Sequence, residues 1–134
     1  MSSESLAVIR GIYDAFAAGD VPGVLGRMAP DIVWNEAESF IYADGNPYRG
    51  PEAVLNGVFA RCIGEWDGFA AIPDEILDAG DTIVALGHYR GINKATGAPL
   101  DAQFAHVWRV GGGQANAFQQ YTDTLKAARA AGVA

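Results

Sequence analysis

At 134 residues, 50% hydrophobic and 19% charged, the chain has the size and composition of one folded domain spanning residues 1–134, not of a disordered segment. Nine Lys and Arg against sixteen Asp and Glu give a formal net charge of −7. That leaves no basic stripe to neutralise phosphates, so neither nucleic acid nor an anionic membrane surface is an expected partner, whereas a small neutral or apolar molecule is. The single cysteine, Cys62, excludes an intrachain disulfide and reads as an inert buried thiol in an apolar helical stretch. With no leader-like start and no run near the roughly 18 apolar residues of a membrane span, the expected location is cytoplasmic.

Leu6, Ile9, Ile12, Tyr13 and Phe16 recur at helical spacing behind Ser2, Ser3 and Ser5, three possible N-caps. Gly19 suits the left-handed position that ends a helix, and Asp20 can cap the next one. That second helix carries Pro22 in its first turn and Val24, Leu25 and Met28 on its apolar stripe, and Pro30-Asp31 stops it. Residues 32–36 alternate as a strand, with Ile32, Trp34 and Glu36 on one face. Glycines and Asn46-Pro47 mark residues 39–50 as a loop. Pro51-Glu52 then opens a third helix whose inward stripe is Val54, Leu55, Val58, Phe59 and either Cys62 or Ile63.

After Trp66-Asp67-Gly68 the pattern becomes extended. Residues 69–77 form a strand interrupted at Pro73, which predicts an edge or a bulge. Residues 82–92, 100–110 and 115–122 follow as strands joined by short Gly-containing turns, an antiparallel meander. An Ala-rich tail, residues 126–132, reads as a short helix. Helices gathered ahead of such a sheet predict an α+β domain, and Gly87 and Gly91 allow the sheet to curve enough to enclose one apolar pocket.

Several segments carry a family resemblance: residues 18–20 (Ala-Gly-Asp), 29–36 (Ala-Pro-Asp-Ile-Val-Trp-Asn-Glu), 48–50 (Tyr-Arg-Gly), 87–91 (Gly-His-Tyr-Arg-Gly), 104–108 (Phe-Ala-His-Val-Trp) and 119–124 (Gln-Gln-Tyr-Thr-Asp-Thr). Taken in order they resemble the SnoaL-like polyketide cyclases of the nuclear transport factor 2-like (cystatin-like) superfamily, which also holds the ketosteroid isomerases. The resemblance implies a cone-shaped, strongly curved antiparallel sheet wrapped by three helices. It also implies an apolar pocket inside the cone and a homodimer through the sheet's outer face.

The site residues follow from both sources. Counting by twos places Gln119, Tyr121 and Asp123 on one face of the last strand, and the resemblance makes Asp123 a general acid/base. The competing reading of Asp123 is a solvated carboxylate capping the tail helix. His106 shares a face with Phe104 and Trp108, and the resemblance gives it a place beside the aspartate as an orienting or donating group; the alternative is a satisfied core histidine. Glu36 matches the position where ketosteroid isomerases hold a catalytic aspartate, and a carboxyl in an apolar pocket has its pKa raised by desolvation. Trp34, Phe59, Phe104, Trp108 and Tyr121 are expected to supply the walls and Gln119 a polar contact, with Tyr48 at the mouth. Either Tyr89 or Arg90 can face inward, but not both.

Departures from the relatives narrow the chemistry. The first-helix tyrosine of ketosteroid isomerases aligns with Ile12, leaving Tyr13 about 100° around the helix. Asp101 and Asp123 lack an arginine on their face for an epoxide hydrolase, since Arg109 lies opposite His106 by parity. Two histidines without ligand spacing predict no metal, Gly111-Gly112-Gly113 precedes a strand and not a helix, and no cofactor is expected. The sequence therefore predicts cofactor-free acid/base chemistry next to a carbonyl, as in an isomerase or aldol-type cyclase. The alternatives are a non-catalytic small-ligand-binding or dimerisation module and a scaffold with a collapsed pocket.

Overall fold

The computed structural model describes residues 2–134. Helix α1 (Ser2–Ala17) buries Ile9, Ile12 and Tyr13 and ends where Gly19 takes a φ of 72°. The side chains of Ser2 and Ser3 lie outside the described residues. Asp20 caps α2 (Val21–Leu25), its Oδ1 accepting from the Gly23 N–H at 3.0 Å. The second helix is shorter than its apolar spacing suggests, because Gly23 and Gly26 give it little propensity to continue. Met28, expected on that stripe, instead opens strand β1 (Met28–Asn35). The strand carries Pro30 and shifts register against its partner between Met28 and Val33.

The segment expected to be loop contains a 3₁₀ turn (Ala43–Gly45) and a two-residue strand, β2 (Tyr48–Arg49), paired antiparallel with β1. Helix α3 (Pro51–Val54) continues through a wider π turn (Leu55–Phe59) into α4 (Ala60–Glu65), one rod that buries Val54, Val58, Phe59 and Cys62 and leaves Ile63 exposed.

Four strands follow: β3 (Trp66–Ala79), β4 (Thr82–Asn93), β5 (Pro99–Gly111) and β6 (Gln114–Thr122), capped by α5 (Thr124–Ala131). Trp66-Asp67-Gly68, after which the extended pattern is expected to begin, already belongs to β3, whose register with β4 shifts between Asp67 and Ala70 and again between Pro73 and Glu75. Pro73 thus sits on an edge strand, where its missing N–H costs no ladder bond.

The sheet order is β2-β1-β6-β5-β4-β3. The meander from β3 to β6 is antiparallel as expected, but β1 joins β6 in parallel, so the sheet is mixed. Register fixes one inner face: His106 pairs with Gln120, Trp108 with Phe118, and Trp34 with Phe118. At Gly87 an added Cβ would collide with the Ile72 carbonyl and the Phe104 ring, so only glycine lets the outer strands fold this tightly over the interior. The result is the α+β cone: a curved sheet closed over α1 and the α3–α4 rod. No helix among the described residues is long and apolar enough to cross a membrane.

Candidate functional site

Inside the cone lies a cavity of about 50 Å³. At about 10–15 Å³ per water, that is room for about three to five water-sized atoms. Aromatic rings make most of the wall, among them Tyr13 and Phe16 of α1, Trp34 of β1, Phe59 before α4, Tyr89 of β4, Trp108 of β5 and Phe118 of β6. The lining residues with polar or titratable side-chain groups are few: Glu36, His106, Gln120, Tyr13, Tyr89, Cys62 and the indoles of Trp34 and Trp108.

Glu36 follows the last residue of β1, on the Trp34 side of the strand, and is 3% exposed. Its Oε2 accepts from Trp34 Nε1 at 3.2 Å. Asn46 clamps its backbone on both sides, accepting from the Glu36 N–H at 2.9 Å and donating to the Glu36 carbonyl at 2.8 Å. Burial pushes the carboxyl up to about 8, against the smaller opposing effects of the Trp34 hydrogen bond and the distant Arg61 charge. Burial therefore favours the neutral form of Glu36 at neutral pH.

His106 is the centre of a second network. Tyr13 Oη lies 2.6 Å from Nδ1 and Tyr89 Oη 2.5 Å from Nε2. Trp108 Nε1 donates to Tyr13 Oη at 3.0 Å, and Gln120 Nε2 donates to Tyr89 Oη at 2.8 Å. The Gln120 carbonyl oxygen accepts from the Ala37 N–H, tying this network to the backbone beside Glu36. Phe104 stacks on the imidazole at 3.8 Å between centroids. Burial pushes His106 down to about 3, so it is neutral, and pushes both tyrosines up.

The structure brings Glu36, His106, Trp34, Phe59 and Trp108 together at the cavity. It does not bring Asp123. That residue is the N-cap of α5, with Oδ1 accepting from the Lys126 N–H at 3.1 Å. Gln119 and Tyr121 do share a face, as counting by twos requires, but it is the outer one, and β6 ends at Thr122, before Asp123. The β5–β6 register puts Phe118 and Gln120 inward opposite Trp108 and His106. Tyr121 is accordingly 57% exposed, and Gln119 donates to the Gln120 carbonyl. Phe104 is buried behind His106 and is not a cavity wall. Tyr48 is also buried, its hydroxyl donating to the Tyr42 carbonyl at 2.7 Å, and it lies outside the cavity. Tyr89 points inward, and Arg90 points outward, 3.9 Å from Asp101.

Tyr13 and Gln120 are the functional candidates that sequence reasoning left out, and Tyr89 is the one it left undecided against Arg90. Tyr13 carried a signal: it is the one polar-headed residue in the apolar stripe of α1. Aligning Ile12 with the isomerase tyrosine discounted it, yet both side chains reach the cavity. Gln120 could be found only from strand register.

Residues 37–47 form the strap over one side of the site and contribute Phe40 to its wall. Tyr42 donates to Glu65 Oε1 at 2.7 Å and accepts from Trp66 Nε1 at 2.8 Å. Arg61 sits 4.3 Å from the centre of the Tyr42 ring and forms a two-pronged pair with Asp44, at 2.7 and 3.2 Å.

Residues 9–117 match the SnoaL-like domain. The fold superposes on an NTF2-like protein of Burkholderia thailandensis E264 with a TM-score of 0.89 and 36% identity, over 94% of this chain and 95% of that one. An NTF2-like protein of unknown function from Burkholderia pseudomallei K96243 gives a TM-score of 0.85 and 30% identity, over 95% and 96%. TerC, co-crystallised with polyporic acid, shares the fold at a TM-score of 0.85 and 23% identity, over 96% and 98%. No curated protein matches the chain. With the domain match covering most of the sequence and a relative 36% identical superposing over 94% of it, the chain belongs to the SnoaL-like family.

Proposed function

We propose that this protein binds a small, largely apolar carbonyl compound in the cone and moves a proton next to that carbonyl without a cofactor, as an isomerase or an aldol-type cyclase does. The observation that carries this reading is Glu36: a lone carboxyl, 3% exposed, facing an aromatic cavity, with burial lifting it to about 8. Such a group takes a proton from an acidified carbon and returns it near neutrality. The hydroxyls of Tyr13 and Tyr89, residues that also line the cavity, would meet the oxygen on which enolate charge builds. Asp123, the N-cap of α5 and not among the residues lining the cavity, has no part in this chemistry.

The test is proton–deuteron exchange into acetone in D₂O, followed by ¹H NMR. Acetone has four heavy atoms and suits the cavity. The protein should accelerate exchange, and Glu36→Gln should lower the rate by about 10²-fold or more. No protein-dependent exchange, or exchange that Glu36→Gln leaves intact, defeats the reading. A second reading, a non-catalytic binding module, is favoured by one observation: no buried side-chain N or O among the described residues lacks a hydrogen-bond partner. It predicts binding without exchange. In either case we place a second copy of the chain on the outer sheet face, where Ile72, Leu77 and Tyr121 remain exposed.

A further inference from the structure

We infer that Tyr13, His106 and Tyr89 form a proton wire whose two ends open on the same cavity, so that a proton accepted from a ligand at one tyrosine is returned to it at the other. Trp108 N–H and Gln120 N–H already fill the outer two gaps of the chain Trp108–Tyr13–His106–Tyr89–Gln120. Two gaps remain, Tyr13 to Nδ1 and Nε2 to Tyr89. Three hydrogens remain to fill them: two hydroxyl protons and the single N–H of a neutral imidazole. One tyrosine O–H is therefore always surplus, and both tyrosines line the cavity.

The two arrangements differ in which tyrosine holds that surplus proton. In one, Tyr13 donates to Nδ1, Nε2–H donates to Tyr89, and the Tyr89 O–H is free. In the other, Tyr89 donates to Nε2, Nδ1–H donates to Tyr13, and the Tyr13 O–H is free. One pass converts the first into the second and leaves no net charge. The Tyr89 O–H bond breaks as its free proton goes to a ligand acceptor oxygen, and the Nε2 proton moves to Tyr89 Oη. The Tyr13 proton moves to Nδ1, and a ligand O–H or enol gives its proton to Tyr13 Oη. The imidazole changes tautomer and never becomes a cation, in keeping with the burial that holds it neutral. The ends are matched, each phenol oxygen taking one outside N–H, so neither tautomer is strongly preferred.

His106 is on this account a positioning residue that connects two donors. The inference deepens the proposed function and takes its ligand class from it, a molecule with an acceptor oxygen and an exchangeable proton, but the hydrogen count stands without it. The test is ¹⁵N NMR of protein labelled at its two histidines, with His106 assigned by comparison with a His88→Gln variant. Gln120→Met removes the outside donor from Tyr89, makes that oxygen the better acceptor, and should raise the Nε2–H tautomer by about two- to tenfold. Trp108→Phe should move it the opposite way. A His106 tautomer ratio that Gln120→Met leaves where the wild type has it overturns the wire, whatever becomes of Trp108→Phe. Acetone exchange read on the same samples separates the two ideas. Its absence removes the proposed function and not the wire, whereas exchange with an unmoved tautomer does the reverse.

Discussion

Replacing Glu36 with Gln removes one titration while keeping the side chain's shape and an oxygen to accept from Trp34 Nε1. In the native protein burial holds the carboxyl at about 8, whereas in the unfolded chain it ionises at its ordinary value of 4.5. Between those values the native state keeps a proton that the unfolded state has lost, so this group's contribution is complete below pH 4.5 and is lost as pH rises to about 8. His106 works the other way. Burial moves it from 6.5 to about 3, so its contribution grows from about pH 3 to 6.5 and is then constant. The two slopes cancel between 4.5 and 6.5, leaving a plateau there, and the carboxyl alone acts from 6.5 to about 8. At about 1.4 kcal/mol per pH unit, wild-type stability should fall by roughly 2 kcal/mol across that last window. Glu36→Gln should be flat there. Urea midpoints at closely spaced pH values measure the difference. Parallel curves for the two proteins between pH 6.5 and 8 would refute the claim that Glu36 is held neutral by burial, and with it the basis for its proton chemistry.

The same carboxyl sets the pH profile of any base-catalysed step: acetone exchange should rise with pH and level off above about 8, and a flat profile argues against Glu36 as the base. Asp123→Ala should cost about 1 kcal/mol through loss of the α5 cap and leave the exchange rate unchanged; thermal unfolding and the NMR assay read the two effects separately. Gly87→Ala should destabilise by about 1–3 kcal/mol, because its methyl meets backbone at Ile72 that cannot swing away; an unchanged melting temperature contradicts the packing described here. Arg61→Ala breaks an exposed ion pair worth at most about 1 kcal/mol to global stability, yet it frees the strap over the cavity. Its expected signature is faster labelling of the buried Cys62 by a thiol reagent with little change in melting temperature, and equal labelling rates would show that the strap does not gate access.

What could be read along the chain was whatever depends on neighbours in sequence. Helical spacing located α1 and the α3–α4 rod, strand alternation located β4, β5 and β6, and Gly19 and Asp20 declared a helix end and a helix start through their own backbone and side-chain chemistry. Glu36 and His106 were legible as well, because a carboxyl beside Trp34 and an imidazole between two aromatics are unusual on otherwise apolar faces. Alternation also put Gln119 and Tyr121 on one face, but period two says only that they share a face and not which face it is, and the strand stops at Thr122, before Asp123. That choice belongs to the pairing of β6 with β5 and β1, which sends Phe118 and Gln120 inward and leaves Asp123 to cap α5. The hydroxyls on either side of His106 come from α1 and β4, 93 and 17 residues away in sequence, and their meeting follows from how the sheet closes over the helix. The raised proton affinity of Glu36 has the same origin, since desolvation is a property of the closed cone and of no segment within it.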